Sequence, residues 1–310
     1  EPRPHECLHR RPGRATGVES RREGLVAQRA KAYDGQAEGS FFVDRACIDC
    51  GTCYEFAPET FEDAGSHSRV HIQPEGADAK LRAAMALVAC PVAAIGTEEK
   101  ALVGPASLAF PSQVEGEVSF CGWTSEKSFG AWSWFIERKA GNVLMDSPRS
   151  SPQLMKRLEE KGGVALMVLS HQDDVADHAA YHERFGCPRV MHEGDALRAC
   201  ERIIEGDDPV ELADDLLLIP TPGHTAGSMC LLYRDTFLFT GDHLWWSKPR
   251  NLLWASKTYN WHDWEAQVRS VERLLDFDFR WVLPGHGDSF RAESPAAMKK
   301  ELERTLKAIR

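Results

Sequence analysis

Short apolar runs, each ended by a polar or glycine-bearing turn, recur through the chain. Residues 166–169 are one such run, Leu-Met-Val-Leu, the pattern of a buried strand. Residues 118–123, 133–137, 142–146, 188–192, 216–219, 237–240 and 281–283 repeat it with small variations. Helical spacing appears over 152–161, stopped by Gly162 and Gly163, and again over 176–185, 196–204, 264–275 and 295–309. Residues 229–233 and 236–240 read as a hairpin turning at Arg234 and Asp235. Upstream, 41–43, 69–72 and 93–95 read as strands and 51–56 and 78–89 as helices, with a further short helix over 24–33. Residues 34–39 and 100–111 read as linkers, the second broken by Gly104, Pro105 and Pro111.

The residues that close these runs bring in chemistry. Just beyond 166–169 come His171, Asp173, Asp174, Asp177 and His178. Imidazoles and carboxylates at a strand end suit a metal, because the strand fixes the first donor and the loop wraps the others. The plain alternative is a polar loop that caps a helix. Recurrence favours the metal: later runs end in Gly223-His224-Thr225, Gly241-Asp242 and Gly285-His286-Gly287. Each donor stands beside a glycine, which lets backbone approach closely. Strand ends of this kind can converge on one pocket at a sheet edge.

A second cluster of donors lies upstream, in Cys47, Cys50 and Cys53, followed by Cys90-Pro91. Thiolates at this spacing wrap a small inorganic cube from one turn of chain, and with no second triplet the fourth ligand, Cys90, comes from a distant segment. A four-cysteine zinc site is the alternative, since it also uses short spacings. Three cysteines so close together, and the proline after the fourth, fit the cube better. The segment is similar to single-cluster [4Fe–4S] ferredoxins over its whole length, which implies one-electron transfer. Glu55, Glu59, Glu62 and Asp63 read as its solvated acidic rim, with a docking patch for a basic redox partner as the alternative.

The series His171, Asp177-His178, Gly223-His224-Thr225, Gly241-Asp242 and Gly285-His286-Gly287 resembles the metallo-β-lactamase-fold superfamily, over about residues 106–290. The resemblance implies an α/β (α+β) chain: a ferredoxin-like domain over 39–100, then a four-layer αββα sandwich of two mixed sheets, and a C-terminal helix over 291–310. It also implies one or two zinc or iron ions at the sandwich edge. His171, Asp173 and His224 would hold the first ion and Asp177, His178 and His286 the second. Asp242 would bridge them and serve catalysis, with Asp177 orienting water and His243 standing behind the ligands or facing substrate.

The first motif departs from the family's His-x-His-x-Asp-His. Asp173 stands in place of the second histidine, and two extra residues precede Asp177-His178. A carboxylate in place of an imidazole makes the site more anionic and favours iron or manganese. An aromatic-rich segment, Trp245, Trp246, Trp254, Tyr259, Trp261 and Trp264, reads as packing, with an aromatic wall at the pocket mouth as the alternative.

Composition adds bounds. The net charge of −10 argues against nucleic acid, and no apolar run reaches the length of a membrane span. Nine cysteines, four with a better use than disulfides, suit a reducing compartment. The head, residues 1–38, starts at Glu1 and is arginine-rich, which reads as the remnant of an organelle (chloroplast) targeting sequence or as a solvated arm.

Three functions are open at this level. One is hydrolysis of an ester, thioester or similar bond in a small-molecule substrate by metal-bound hydroxide, with the [4Fe–4S] domain attached. Another is non-haem iron redox chemistry, either of the persulfide-dioxygenase type, with one iron on His171, His224 and Asp242, or of the flavodiiron type, with a diiron centre and a carboxylate where Asp173 stands; the ferredoxin domain would supply electrons, with a reductase or electron carrier as redox partner. The last is a cluster-bearing sensor or scaffold without catalysis.

Overall fold

The computed structural model describes residues 26–197 and 199–310, so most of the arginine-rich head expected over 1–38 lies outside the described residues. The first described elements are β1 (Phe41–Val43), α1 (Thr52–Phe56), β2 (Phe61–Asp63), β3 (Ser68–Val70), α2 (Gly76–Ala89) and β4 (Ile95–Thr97). β1 pairs antiparallel with β4, and β2 with β3. The apolar face of α2, with Ala83, Met85, Ala86 and Val88, is buried against this small module. Of the helix expected over 24–33, the described part is a single 3-10 turn, Arg29–Lys31.

The stretch expected as a linker instead contains α3 (Val103–Leu108), which packs on α2 and buries Ala106. Pro105 is tolerated because it lies in the first turn, where its missing N–H has no helical partner.

β5 (Ser112–Glu115), β6 (Val118–Phe120), β7 (Trp134–Ile136), β8 (Val143–Met145), α4 (Pro152–Glu160), β9 (Leu166–Val168), α5 (His178–Phe185), β10 (Arg189–His192) and β11 (Arg202–Ile204) follow. Their strands form one sheet in the order β11-β10-β9-β8-β7-β6-β5, antiparallel from β5 to β8 and parallel beyond. Next come β12 (Val210–Ala213), β13 (Leu216–Pro220), β14 (Met229–Tyr233), β15 (Phe237–Gly241), β16 (Trp245–Ser247), β17 (Leu252–Trp254), α6 (Trp264–Arg273), β18 (Trp281–Pro284), β19 (Phe290–Arg291) and α7 (Pro295–Ile309). The second sheet runs β12-β13-β14-β15-β18-β19, and β16 and β17 pair as a separate hairpin.

Side-chain alternation fixes the layers. Trp134, Ile136, Val143, Met145 and Val168 meet Leu218, Leu231, Phe239 and Leu283 between the sheets. The alternate residues of the first sheet, Phe135, Leu144 and Met167, take Leu154 and Leu158 of α4 and Tyr181 of α5. Those of the second, Ile219, Leu232, Leu238 and Val282, take Val268 and Val271 of α6 and Met298, Leu302 and Leu306 of α7. The result is a four-layer α/β/β/α sandwich. Helix starts are set by local chemistry: Ser151, Asp263 and Ser294 each accept a hydrogen bond from a first-turn N–H.

Among the described residues the helix expected over 196–204 is absent, because Arg202–Ile204 pairs parallel with β10 as the edge strand β11. Pairing with a neighbouring strand overrides local propensity there.

The small module shares its core with the sandwich. Phe56 of α1 lies 6.0 Å from Phe110 and 5.7 Å from Phe120, ring centre to ring centre, and Phe120 stacks on Trp132 at 4.0 Å. Burying each such ring contributes about 1.5–3 kcal/mol, so the two modules are held together by apolar surface. Among the described residues no helix is long and apolar enough to cross a membrane.

Candidate metal centre and cluster cradle

His171 follows β9, His224 follows β13, Asp242 follows β15 and His286 follows β18, so four donors leave the same edge of the sandwich. Gly241 makes the close approach possible: its φ is +50°, and a side chain there would collide with Ser170 beside His171. The Nε2 atom of His171 lies 4.0 Å from Asp173 Oδ2 and 3.8 Å from Asp242 Oδ2. The Nε2 atom of His224 lies 3.9 Å and 3.8 Å from the same two oxygens. Donors about 2.0–2.2 Å from one ion lie roughly 3–3.5 Å from each other, so a small contraction would close this group on a single ion.

Each imidazole is aimed from behind. His224 Nδ1 donates to the Tyr259 carbonyl at 2.6 Å, which turns the Nε2 lone pair toward the carboxylates. That Nε2 is buried without a hydrogen-bond partner, as a metal ligand would be. His171 Nδ1 lies 2.9 Å from Ser170 Oγ, and the two rings meet edge to face at 4.8 Å. Burial pushes the Asp173 carboxyl up, and His224 pulls it back.

Asp242 also faces His286, whose Nδ1 donates to Oδ1 at 2.7 Å. Burial alone would raise the Asp242 carboxyl, but His286, then His171 and His224, hold it far below the usual range. Burial opposes protonation of His286, yet Asp242 raises it to about 10. Beneath them lies Asp174, 1% exposed, with neither carboxylate oxygen hydrogen-bonded and Oδ2 4.0 Å from His171 Nδ1. Burial, and Asp242 after it, push its carboxyl well up. Asp146 is raised to about 7, chiefly by burial, while it accepts from Ser170 N at 2.7 Å.

The structure does not bring Asp177 and His178 into this group. Asp177 takes the Lys127 ammonium at 2.5 Å and the Ser150 N–H at 2.8 Å, and His178 Nδ1 faces the Arg189 guanidinium at 3.0 Å. The two extra residues of the loop carry the pair past the turn and onto the start of α5, where Asp177 is the N-cap residue. Asp174, whose backbone lies nearer the strand end, takes the buried position in their stead. His243 is 1% exposed and is not among the cavity residues; burial, then His224, lower it to about 3.

The four cysteines face one another. Cys47, Cys50, Cys53 and Cys90 line one small apolar enclosure with Ile48, Pro91, Val92 and Ile95. Cys47 Sγ accepts from Asp49 N and Ser68 N, both at 3.4 Å, and Cys90 Sγ from Ala94 N at 3.3 Å. Backbone N–H groups aimed at sulfur stabilise thiolate charge, as an iron–sulfur cluster requires. Burial raises all four thiols, so as free thiols they would be protonated and inert. The cradle therefore suits a cluster.

A cavity of about 580 Å³ reaches the metal centre and shares Cys50 with the thiol enclosure. Cys50, Tyr54, Glu55 and Phe61 of the small module form one side, and Trp245, Trp246, Trp254 and Tyr259 the other, with His224, Asp242 and His286 at its base. The aromatic segment is thus both packing and cavity wall. Glu55, expected on a solvated rim, is turned inward: burial and then Asp288 raise it to about 8, against His286. Its role, like those of Asp174 and Tyr259, depends on contacts between segments far apart in the chain.

Residues 129–286 match the family model described as metallo-beta-lactamase superfamily, and residues 43–97 that of the 4Fe-4S single cluster domain of ferredoxin I. A hydroxyacylglutathione hydrolase of Rhizobium etli is 30% identical over 128 residues, 37% of this chain and 50% of that protein. One from Rhizobium meliloti is 32% identical over 107 residues, 32% of this chain and 41% of that protein. The chain thus spans about half the length, or less, of the curated relatives it matches. Among solved structures, ETHE1 from Myxococcus xanthus is 21% identical with a TM-score of 0.46, covering 61% of this chain and 84% of its own. The BLEG-1 B3 metallo-beta-lactamase is 16% identical with a TM-score of 0.47, covering 56% and 93%.

Proposed function

The chain belongs to the metallo-beta-lactamase superfamily, and on that footing we propose that it is a metal-dependent oxidoreductase acting on a small molecule. Its catalytic ion would be held by His171, Asp173, His224 and Asp242. The observation that carries this reading is the position of Cys50, which lines both the thiol enclosure and the cavity above His224 and Asp242. A one-electron carrier set into the wall of a reaction cavity serves redox chemistry, whereas hydrolysis transfers no electrons.

The donor set supports the same reading. Two imidazoles and two carboxylates are harder than an all-imidazole zinc pocket and suit iron. With Asp177 and His178 engaged elsewhere, donors for a second ion reduce to Asp242, His286 and Asp174. A bound iron would supply Lewis acidity and one-electron redox chemistry. Tyr259 and Ser170 orient the imidazoles, Asp242 keeps its negative charge, and the aromatic walls exclude water from the substrate. Cys47, Cys50, Cys53 and Cys90 would hold a [4Fe–4S] cluster, reloaded one electron at a time by a reductase or carrier protein.

The test is metal analysis of anaerobically purified protein, followed by mixing the reduced form with oxygen and a persulfide. Iron beyond the cluster is expected, and so is cluster reoxidation that persulfide accelerates over oxygen alone, an acceleration lost in Asp242→Ala. No acceleration by persulfide in the wild type, or one that survives in Asp242→Ala, overturns the proposal, and metal content confined to the cluster irons returns the scaffold reading.

A second reading, thioester or ester hydrolysis, is favoured by the hydroxyacylglutathione hydrolase relatives. Zinc in the site and turnover of a thioester independent of cluster oxidation state would establish it.

A further inference from the structure

One loop touches both sites. The segment 124–132 runs from β6 toward β7, and its first residue is pinned beside Cys90: Thr124 N and Oγ1 both donate to the Ala89 carbonyl, at 3.2 and 2.7 Å. Further on it is pinned beside Cys50. Thr52 Oγ1 donates to the Gly130 carbonyl at 3.0 Å and lies 3.5 Å from Cys50 Sγ. Gly130 has φ +90°, and a Cβ there would fall 2.8 Å from that sulfur, so only glycine lets backbone lie so close.

The other end of the loop is pinned to the metal centre. Trp132 N donates to the Gly285 carbonyl at 2.7 Å, one residue before His286. The Phe129 ring stands 6.4 Å from the His286 ring, centre to centre, and His286 is hydrogen-bonded to Asp242. Between the anchors the loop is stiffened by its own bonds, Phe129 N to Glu126 O at 3.1 Å, Gly130 N to Ser125 O at 2.8 Å and Ala131 N to Ser128 O at 2.9 Å. A stiff element fixed at both ends passes a displacement of one end to the other.

We propose that this segment is a coupling strut, through which the cluster sets the metal affinity of the His171, Asp173, His224 and Asp242 group, and bound metal in turn sets the reduction potential of the cluster. The inference rests on the reading above that both sites are filled. Its two states are the cluster-loaded and cluster-free arrangements of Cys50 and Cys90, and linkage makes the effect reciprocal. No electron need pass for this coupling to operate, so it would hold with redox-inert zinc.

The protein, purified without air and stripped of site metal with a chelator, is titrated in cluster-loaded and cluster-free forms with manganese(II), which the thiols of an emptied cradle bind poorly. The cluster-free form is expected to bind manganese about tenfold more weakly, a typical coupling between sites. An independent measurement uses only the loaded form: the midpoint potential of the cluster, followed by electron paramagnetic resonance, shifts when zinc is added. Thr52→Val and Phe129→Leu, which remove one contact of the segment at each site and leave Thr124 and Trp132 in place, are expected to shrink that shift to less than half. A zinc-independent potential in the wild type overturns the strut, as do variants that retain the full shift. If neither cluster nor site metal can be loaded, the function proposed above fails first, so the two failures are separable.

Discussion

The hydroxyl of Thr225 donates to the carboxylate of Asp195, and that same carboxylate accepts from Gln172 N at 3.2 Å and Gly227 N at 2.9 Å. One buried side chain therefore ties the loop bearing His171 and Asp173 to the loop bearing His224. Asp195→Ala leaves Gln172 N and Gly227 N without their acceptor, each at about 1–3 kcal/mol, and frees the loops to separate. Metal affinity is expected to fall about 10–100-fold, as for other groups that orient ligands. Zinc or cobalt titration measures it, and an unchanged affinity would show that the loops hold their spacing without Asp195.

Asp173→His replaces the half-exposed carboxylate with the imidazole its family pattern has there. The softer donor set should shift preference from ferrous iron toward zinc. Competition between the two metals under nitrogen reads this directly; a preference that stays put would mean that Asp173 does not reach the ion.

Asp177→Asn and His178→Ala should leave the metal content of the purified protein as it is, because these side chains serve Lys127, Ser150 and Arg189. Loss of an equivalent of metal in either variant would return them to the ligand set.

Phe56→Ala removes a ring, 6% exposed, that touches Phe110, Phe120 and Trp132 across the module boundary. A loss of about 3–5 kcal/mol is expected. Because the core is shared, cluster bleaching and loss of helical circular dichroism should move down together on heating. Two separated transitions in the wild type would contradict a common core.

Glu201 is held at about 2, below its ordinary 4.5, by hydrogen bonding from Arg189. A carboxylate depressed on folding stabilises fully above its unfolded value and loses that contribution as pH falls from about 4.5 toward 2. Glu201→Gln should flatten the acid limb of the stability curve in that window, with solvent screening keeping the effect modest at a site this exposed.

Much of the sandwich was legible from the chain alone, because apolar runs at strand length and capped helices are local signals. Pro295–Ile309, with Ser294 before it, is helical as its spacing predicts, and the hairpin turning at Arg234 and Asp235 pairs as its pattern predicts. Motifs pointed to His171, Asp173, His224, Asp242 and His286, and the fold gathers them because each follows a strand at one edge. Asp177-His178 misled because the motif names residue types, while two inserted residues decide which side of a helix start they fall on. Arg202–Ile204 misled because edge pairing is not written in local propensity. Asp195 had no signal, and Tyr259 and Glu55 were legible only as an aromatic segment and an acidic rim, since each acts across the fold on a segment remote in sequence.

With Cys50 in the cavity wall, whatever diffuses in to meet His224 and Asp242 also comes against a residue of the cradle. Dissolved air would enter by the same door as the substrate and reach the Cys50 side of a bound cluster. The lifetime of the holoprotein should then be governed by how long its cavity stays filled, and a tight-binding occupant would preserve the brown colour of the protein in air.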